Sequence, residues 1–161
     1  THSMRIIREI LFFQPQRRGT DITRALDFAN SVLHRRAVIF LVSDFCLGMN
    51  HEEKLSRLLT KLQVSCRRHD VIALSVADPR EMNLPDVGLL CIEDAETGEV
   101  VELDTSDHTV RENYAAQANQ RRDNTARKIR SRGIDLVECL NGEDWMPSLL
   151  GFFQNRRQRT G

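Results

Sequence analysis

The longest apolar run in the sequence, residues 37–42, is six residues long, against the roughly 18 that a membrane-spanning helix needs. No basic start leads into a longer apolar stretch, so no secretory leader is read. Thr1-His2-Ser3-Met4 reads instead as a cloning remnant that hides the natural start. Close cysteine pairs are also missing. Cys46, Cys66, Cys91 and Cys139 stand 20, 25 and 48 residues apart, which excludes a zinc knuckle and a redox dithiol. They read as buried free thiols of a reducing, cytoplasmic environment. No Ser-His-Asp set can be assembled from spacing, since His34, His51 and His69 are scattered with no partner pattern. Net charge is absent as well: 23 basic residues cancel 23 acidic ones.

What is present is ordinary for one globular domain. With 161 residues, 40% of them hydrophobic and 29% charged, the chain can bury a real core. The zero charge hides an uneven layout. Residues 78–107 carry a net −9, and residues 111–132, which read as part of a helix, carry a net +5. Such asymmetry is expected either of neighbouring segments that neutralise each other or of a nucleic-acid face. Tyr114 is the only aromatic among residues 111–132, which argues against stacking on single strands.

Hydrophobic spacing predicts the elements. Ile6, Ile7, Ile10 and Leu11 form one stripe of a short helix over residues 4–13. Thr20 or Asp21 then caps a second helix carrying Ile22, Ala25, Leu26, Ala29 and Leu33. Residues 37–42 read as a strand buried on both sides, which favours a parallel sheet between helix layers. Asn50 and Glu53 have the spacing of a capping box ahead of a helix that buries Leu55, Leu58, Leu59, Leu62 and Cys66. Residues 71–76 form a second buried strand. Residues 88–93 and 99–104 then flank a Gly98-containing turn, a hairpin signal. Thr109 and Glu112 suggest another capping box, opening a helix that Gly133 ends and that turns Val110, Tyr114, Ala118 and Ile129 inward. A short strand over residues 134–140 follows. A last helix begins at Asp144-Trp145 and holds Leu149, Leu150 and Phe153, and residues 156–161 read as a frayed basic tail. The sum is an α/β fold: a three-layer, Rossmann-like parallel sheet with right-handed crossovers and an inserted β-hairpin.

In such sheets ligands bind outside the carboxyl ends of the strands. Asp44 and Asp78 follow the first two strands, and Thr20 and Asp21 lie on the loop entering the helix before the first of them. A hydroxyl with one or two carboxylates is oxygen chemistry suited to Mg²⁺. The same residues serve equally as helix caps and turn formers. Two rim carboxylates are also compatible with a metal-dependent hydrolase, although no base–nucleophile pair accompanies them.

Gly19-Thr20-Asp21-Ile22, Ala25-Leu26 and Val38-Ile-Phe-Leu-Val-Ser-Asp44-Phe45 resemble the later half of a von Willebrand factor type A domain. The downstream residues resemble more narrowly the bacterial family called domain of unknown function 58. They are His69-Asp70-Val71-Ile72-Ala73, Asp78-Pro79-Arg80-Glu81, Leu84-Pro85, Gly88, Glu96-Thr97-Gly98-Glu99 and Tyr114. The resemblance implies a metal-ion-dependent adhesion site, with Thr20 matching its second-loop threonine and Asp44 its strand-end aspartate. It also implies a non-enzymatic interaction role, with a MoxR-type AAA+ ATPase as partner. The Asp-x-Ser-x-Ser loop of that site occurs nowhere in the sequence, so the expected domain is partial and its metal site incomplete. Phe45 stands where many such sites have Gly and is expected to narrow the approach. Loss of the first strand would leave residues 37–42 as an open apolar edge, from which homodimerisation is expected.

Overall fold

A computed structural model of the chain describes residues 2–14, 20–48, 50–93, 98 and 100–159. The elements are α1 (His2–Phe12), α2 (Ile22–Val32), β1 (Val38–Ser43), α3 (His51–Arg68), β2 (Asp70–Ala77) and α4 (Pro79–Met82). They continue with β3 (Leu89–Glu93), β4 (Val100–Asp104), α5 (His108–Ser131), β5 (Asp135–Leu140) and α6 (Met146–Arg159). β1, β2 and β5 form a parallel sheet in the order β1-β2-β5, with Ile39 opposite Val71 and Leu74 opposite Val137. β3 and β4 form the inserted antiparallel hairpin. The alternation of α-helices with a parallel sheet is the Rossmann-like α/β arrangement that the sequence pattern predicts.

Two cores flank the sheet. Successive β2 residues point to opposite faces, so Val71 and Ala73 go one way and Ile72 and Leu74 the other. On the first face Leu55, Leu58, Leu59 and Leu62 of α3 meet Ile22 and Leu26 of α2 and Ile129 of α5. On the second, Ile72, Val137 and Cys139 pack beneath Leu149, Phe152 and Phe153 of α6. The ring of Phe153 meets Phe40 edge-on at 6.3 Å.

Several local expectations are corrected. The apolar run of β1 is not covered on both sides. As an edge strand it alternates, and Val38, Phe40 and Val42 stay exposed while Ile39 and Leu41 pack inward. The Asn50–Glu53 box does not form: Asn50 adopts a left-handed conformation (φ 58°) without a side-chain cap, and Glu53 pairs with Arg57 at 2.6 Å. The cap of α5 is Asp107 rather than Thr109. Its carboxylate accepts from the Thr109 N–H at 2.8 Å, and Glu112 sits 3.4 Å from His108 instead. An acceptor-only carboxylate one residue before the helix outcompetes a hydroxyl already inside it. Asp144 accepts from the Met146 N–H at 3.1 Å, so α6 starts at Met146. It continues through Arg159 where a frayed tail was expected, because Arg156 bonds Asp70 and lies 3.3 Å from Asp135. Among the cysteines only Cys139 is buried; Cys66 is half-buried, and Cys46 and Cys91 are exposed. The Gly-containing hairpin turn falls largely on residues 94–97 and 99, outside the described residues.

The hairpin is anchored at its base by a residue with no sequence signal. Thr105, fully buried, donates its hydroxyl to the Gly88 carbonyl at 2.6 Å and accepts from the Val87 N–H at 3.0 Å. Gly88 has φ +80°, a conformation that a side chain would strain.

Candidate functional site

A cleft of about 790 Å³ opens at the carboxyl ends of β1 and β2, between the β1–α3 loop, α4 and α5. This is the position that the topology of an open parallel sheet favours for ligands. Asp44 stands on its rim, exposed, with one carboxylate oxygen accepting from the Cys46 N–H at 3.0 Å. Phe45 follows with φ 56°, a left-handed backbone that costs a bulky residue about 1–3 kcal/mol. The turn is held by the Ser43 hydroxyl, which accepts from the Phe45 N–H at 3.0 Å. The Phe45 ring is buried in the core beneath α2 and α3. The expected narrowing of the approach by this ring is therefore corrected: the backbone turn shapes the rim.

The facing wall is one stripe of α5, in which Tyr114, Ala118, Arg121, Thr125 and Ile129 recur at helical spacing. His51, at the start of α3, crosses to it, and its Nε2 lies 3.2 Å from the Thr125 hydroxyl. Burial pushes the His51 pKa below the ordinary imidazole value. Glu52 opposes that shift, and Arg121 and Lys128 reinforce it. Partial desolvation of its sulfur raises the pKa of the Cys46 thiol, and so do Asp44 and Glu81, while Arg121 acts the other way. Ser75 lies in the floor, 8% exposed, and its hydroxyl has no hydrogen-bond partner among the described residues.

The other candidates from sequence lie elsewhere. Thr20 is exposed, does not line the cleft and makes no hydrogen bond to Asp44. Asp21 caps α2, accepting from the Arg24 N–H at 3.0 Å and from the Thr23 hydroxyl at 2.6 Å. These bonds, Thr23's first, lower its pKa. Asp78 is likewise used locally. It accepts from the Arg80 N–H at 2.8 Å and the Asn141 amide at 3.0 Å, and both bonds hold its pKa down. Among the described residues no group of three or more His, Cys, Asp or Glu is arranged to hold a metal ion. The pair Thr20 and Asp44 offers one hydroxyl and one carboxylate, and that carboxylate already serves the turn. This donor set does not by itself fit a resident Mg²⁺, which demands near-octahedral oxygen coordination.

The basic stretch of α5 is largely neutralised by acids. Arg111 lies 3.5 Å from Asp86, Arg122 lies 3.2 Å from Glu138, Arg130 also bonds Glu138, and Lys128 bonds Glu52. Only the first of these partners belongs to the acidic segment before the helix. The expected mutual neutralisation is thus mostly replaced by pairs to α3 and β5, over which the later half of α5 packs.

His51, Ser75 and Arg121 were not among the sequence candidates. Tyr114, Ala118 and Ile129 already marked the inward face of α5, and continuing their period through Arg121 and Thr125 is the signal that could have found the wall. Among the described residues no helix is long and apolar enough to cross a membrane.

Comparison with known proteins adds family membership. An uncharacterized protein of Mycobacterium avium is 33% identical over 138 residues, which cover 86% of this chain and 77% of that protein. Uncharacterized proteins of Mycobacterium tuberculosis and Mycobacterium bovis are also 33% identical over 138 residues, but the matched region spans only 41% of their length. No solved structure matches. The family model described as protein of unknown function DUF58 matches residues 1–124, and the chain belongs to that family.

Proposed function

We propose that the chain is a non-enzymatic protein-interaction domain of von Willebrand factor A-like type, whose partner is a MoxR-type AAA+ ATPase. The observation that carries this reading is the open edge and largely exposed outer face of β1, together with α1, none of whose residues is buried among the described residues. Val38, Phe40 and Val42 are 57%, 50% and 63% exposed on a strand that, among the described residues, is paired on one side only. α1 has no buried residue, and its Ile10, Leu11 and Phe12, with Phe13 just after it, are each more than 70% exposed. Exposed apolar side chains grouped on one element in this way mark interaction sites when the patch reaches a few hundred Å². An isolated helix of 11 residues is marginal in water, so α1 gains its stability by docking.

An open strand edge carries unpaired N–H and C=O groups that another chain can satisfy. In the ATPase-free protein the edge is satisfied by a second copy, giving a homodimer. Asp44 and Thr20 lie at the ends of the elements beside this edge and are contacts for the partner. No step of the interaction is routed through a metal. Nucleic-acid binding by α5 is the weaker reading, since four of its seven bases between residues 111 and 132 are held in ion pairs.

Calorimetric titration of a purified MoxR-type ATPase into this protein tests the proposal. Saturable binding is expected, weakened at least tenfold by the pair Val38→Lys and Val42→Lys. Absence of binding, or binding that the pair leaves unchanged, would refute it.

A further inference from the structure

The cleft at the carboxyl end of the sheet has features that the open β1 edge does not explain. Its α5 wall runs from Tyr114 to Ile129, 15 residues or about 22 Å at the helical rise. That length matches six or seven residues of extended chain at roughly 3.3 Å each. A volume of about 790 Å³ lies within the range of pockets that enclose ligands well beyond a single amino acid.

The charged groups in it are unequal, and three of them lack an ion-pair partner. Asp44 on the β1–α3 loop, Glu81 on α4 and Arg121 on α5 all line the cleft, and none of the three is in an ion pair among the described residues. Arg122 also lines the cleft, but Glu138 neutralises it. The floor holds Ser75, 8% exposed, whose hydroxyl has no protein partner among the described residues and is open to a ligand in the cleft. Phe45 at the rim adopts the left-handed backbone already described, the kind of strain that collects at ligand sites.

A phosphate-bearing ligand is a poor match, because its charge would meet two carboxylates for one uncommitted guanidinium. A free amino acid would fill only a fraction of the length. We propose that the cleft binds a short extended segment of a partner protein that carries a basic side chain close to a carboxylate. The basic group pairs with Asp44 and Glu81, the carboxylate with Arg121, and the Ser75 hydroxyl bonds the segment's backbone. Tyr114 and Met82 give the aliphatic stems an apolar surface. This inference shares only Asp44 with the proposed ATPase contact and does not depend on the β1 edge, so variants at Glu81 and Arg121 on one hand and at Val38 and Val42 on the other let the two fail separately.

The test is fluorescence anisotropy of the whole chain with four end-capped, fluorescein-labelled heptapeptides of glycine. One carries Lys and Glu, one Lys alone, one Glu alone and one neither. The Lys–Glu peptide is expected to bind most tightly. Glu81→Gln and Arg121→Gln, both at exposed positions, should each weaken it about fivefold to tenfold. Ser75→Ala should weaken all peptides alike. Val38→Lys with Val42→Lys should leave peptide binding unchanged even if it abolishes the ATPase contact or the dimer. Equal affinity for all four peptides would overturn the proposal. So would no saturation by about 1 mM, competition by free L-arginine as strong as by the unlabelled peptide, or Glu81 and Arg121 variants that bind like the parent.

Discussion

Replacing Arg156 by Met tests how α6 is fixed across the sheet. The guanidinium reaches from α6 to the amino ends of β2 and β5, bonding Asp70 and lying 3.3 Å from Asp135. Its Cζ also stands 5.8 Å from the Phe152 ring centre. Arg156, Asp70 and Asp135 keep 29%, 30% and 35% of their side-chain surface, so solvent screens the charges only in part. A charge-assisted hydrogen bond contributes about 1.5–3 kcal/mol when protected and an exposed pair about 0–1. The cation over the ring adds about 0.5–1 kcal/mol. Met keeps most of the aliphatic stem but leaves two carboxylates on neighbouring strands without their shared cation. Arg156→Met should therefore destabilise the fold by about 2 kcal/mol, or about 4–8 °C in Tm for a chain of this size. Urea unfolding followed by circular dichroism reads the change as a lower midpoint at constant slope. Adding Asp70→Asn and Asp135→Asn to the Met variant should restore part of the loss by removing the repulsion. A loss below about 0.5 kcal/mol, or one that neutralising both aspartates leaves unchanged, would refute the reasoning.

Leu62→Ala, at a fully buried position of α3, should cost about 2–5 kcal/mol in the same unfolding assay, whereas Val64→Ala on the exposed side should stay within about 0.5. His51 supplies a pH dependence. Its folded pKa lies below the unfolded value near 6.5, so the unfolded chain takes up the proton first as pH falls, and stability drops with acid below that pH. His51→Gln should flatten the slope of unfolding free energy just below pH 6.5 and leave it unchanged above. An unaltered slope would contradict the shift.

Elements with strong periodicity were legible in the sequence. Leu55, Leu58, Leu59 and Leu62 mark the buried face of α3, and all four are buried. The alternation of helices with short apolar strands carried the layered, parallel arrangement, because parallel strands need long crossovers. Periodicity alone did not give the strand order, and with it went the burial of β1, although the resemblance led to the expectation of an open edge at residues 37–42, where β1 lies at the edge of the described sheet. The run of residues 37–42 is equally apolar at a sheet centre and at an edge, and only the pairing order makes it an edge. Capping failed where two acceptors compete within a few residues, as at Asp107 and Thr109. The long-range contacts of Arg156 failed for another reason: Asp70 lies 86 residues away, and no local pattern links the two. At the cleft, Asp44 followed from the rule that ligands gather at strand ends. His51, Ser75 and Arg121 depend on how α3 and α5 approach each other over β2, which spacing within any one element does not encode.

Sedimentation of the purified protein across a concentration series, paired with hydrogen exchange at the β1 amides, tests the open edge most directly. A concentration-dependent dimer with protected β1 amides is expected, and a monomer with rapid exchange once Val38→Lys and Val42→Lys are introduced. A parent protein that stays monomeric at about 100 μM, with β1 amides exchanging as freely as in the variant, would contradict it.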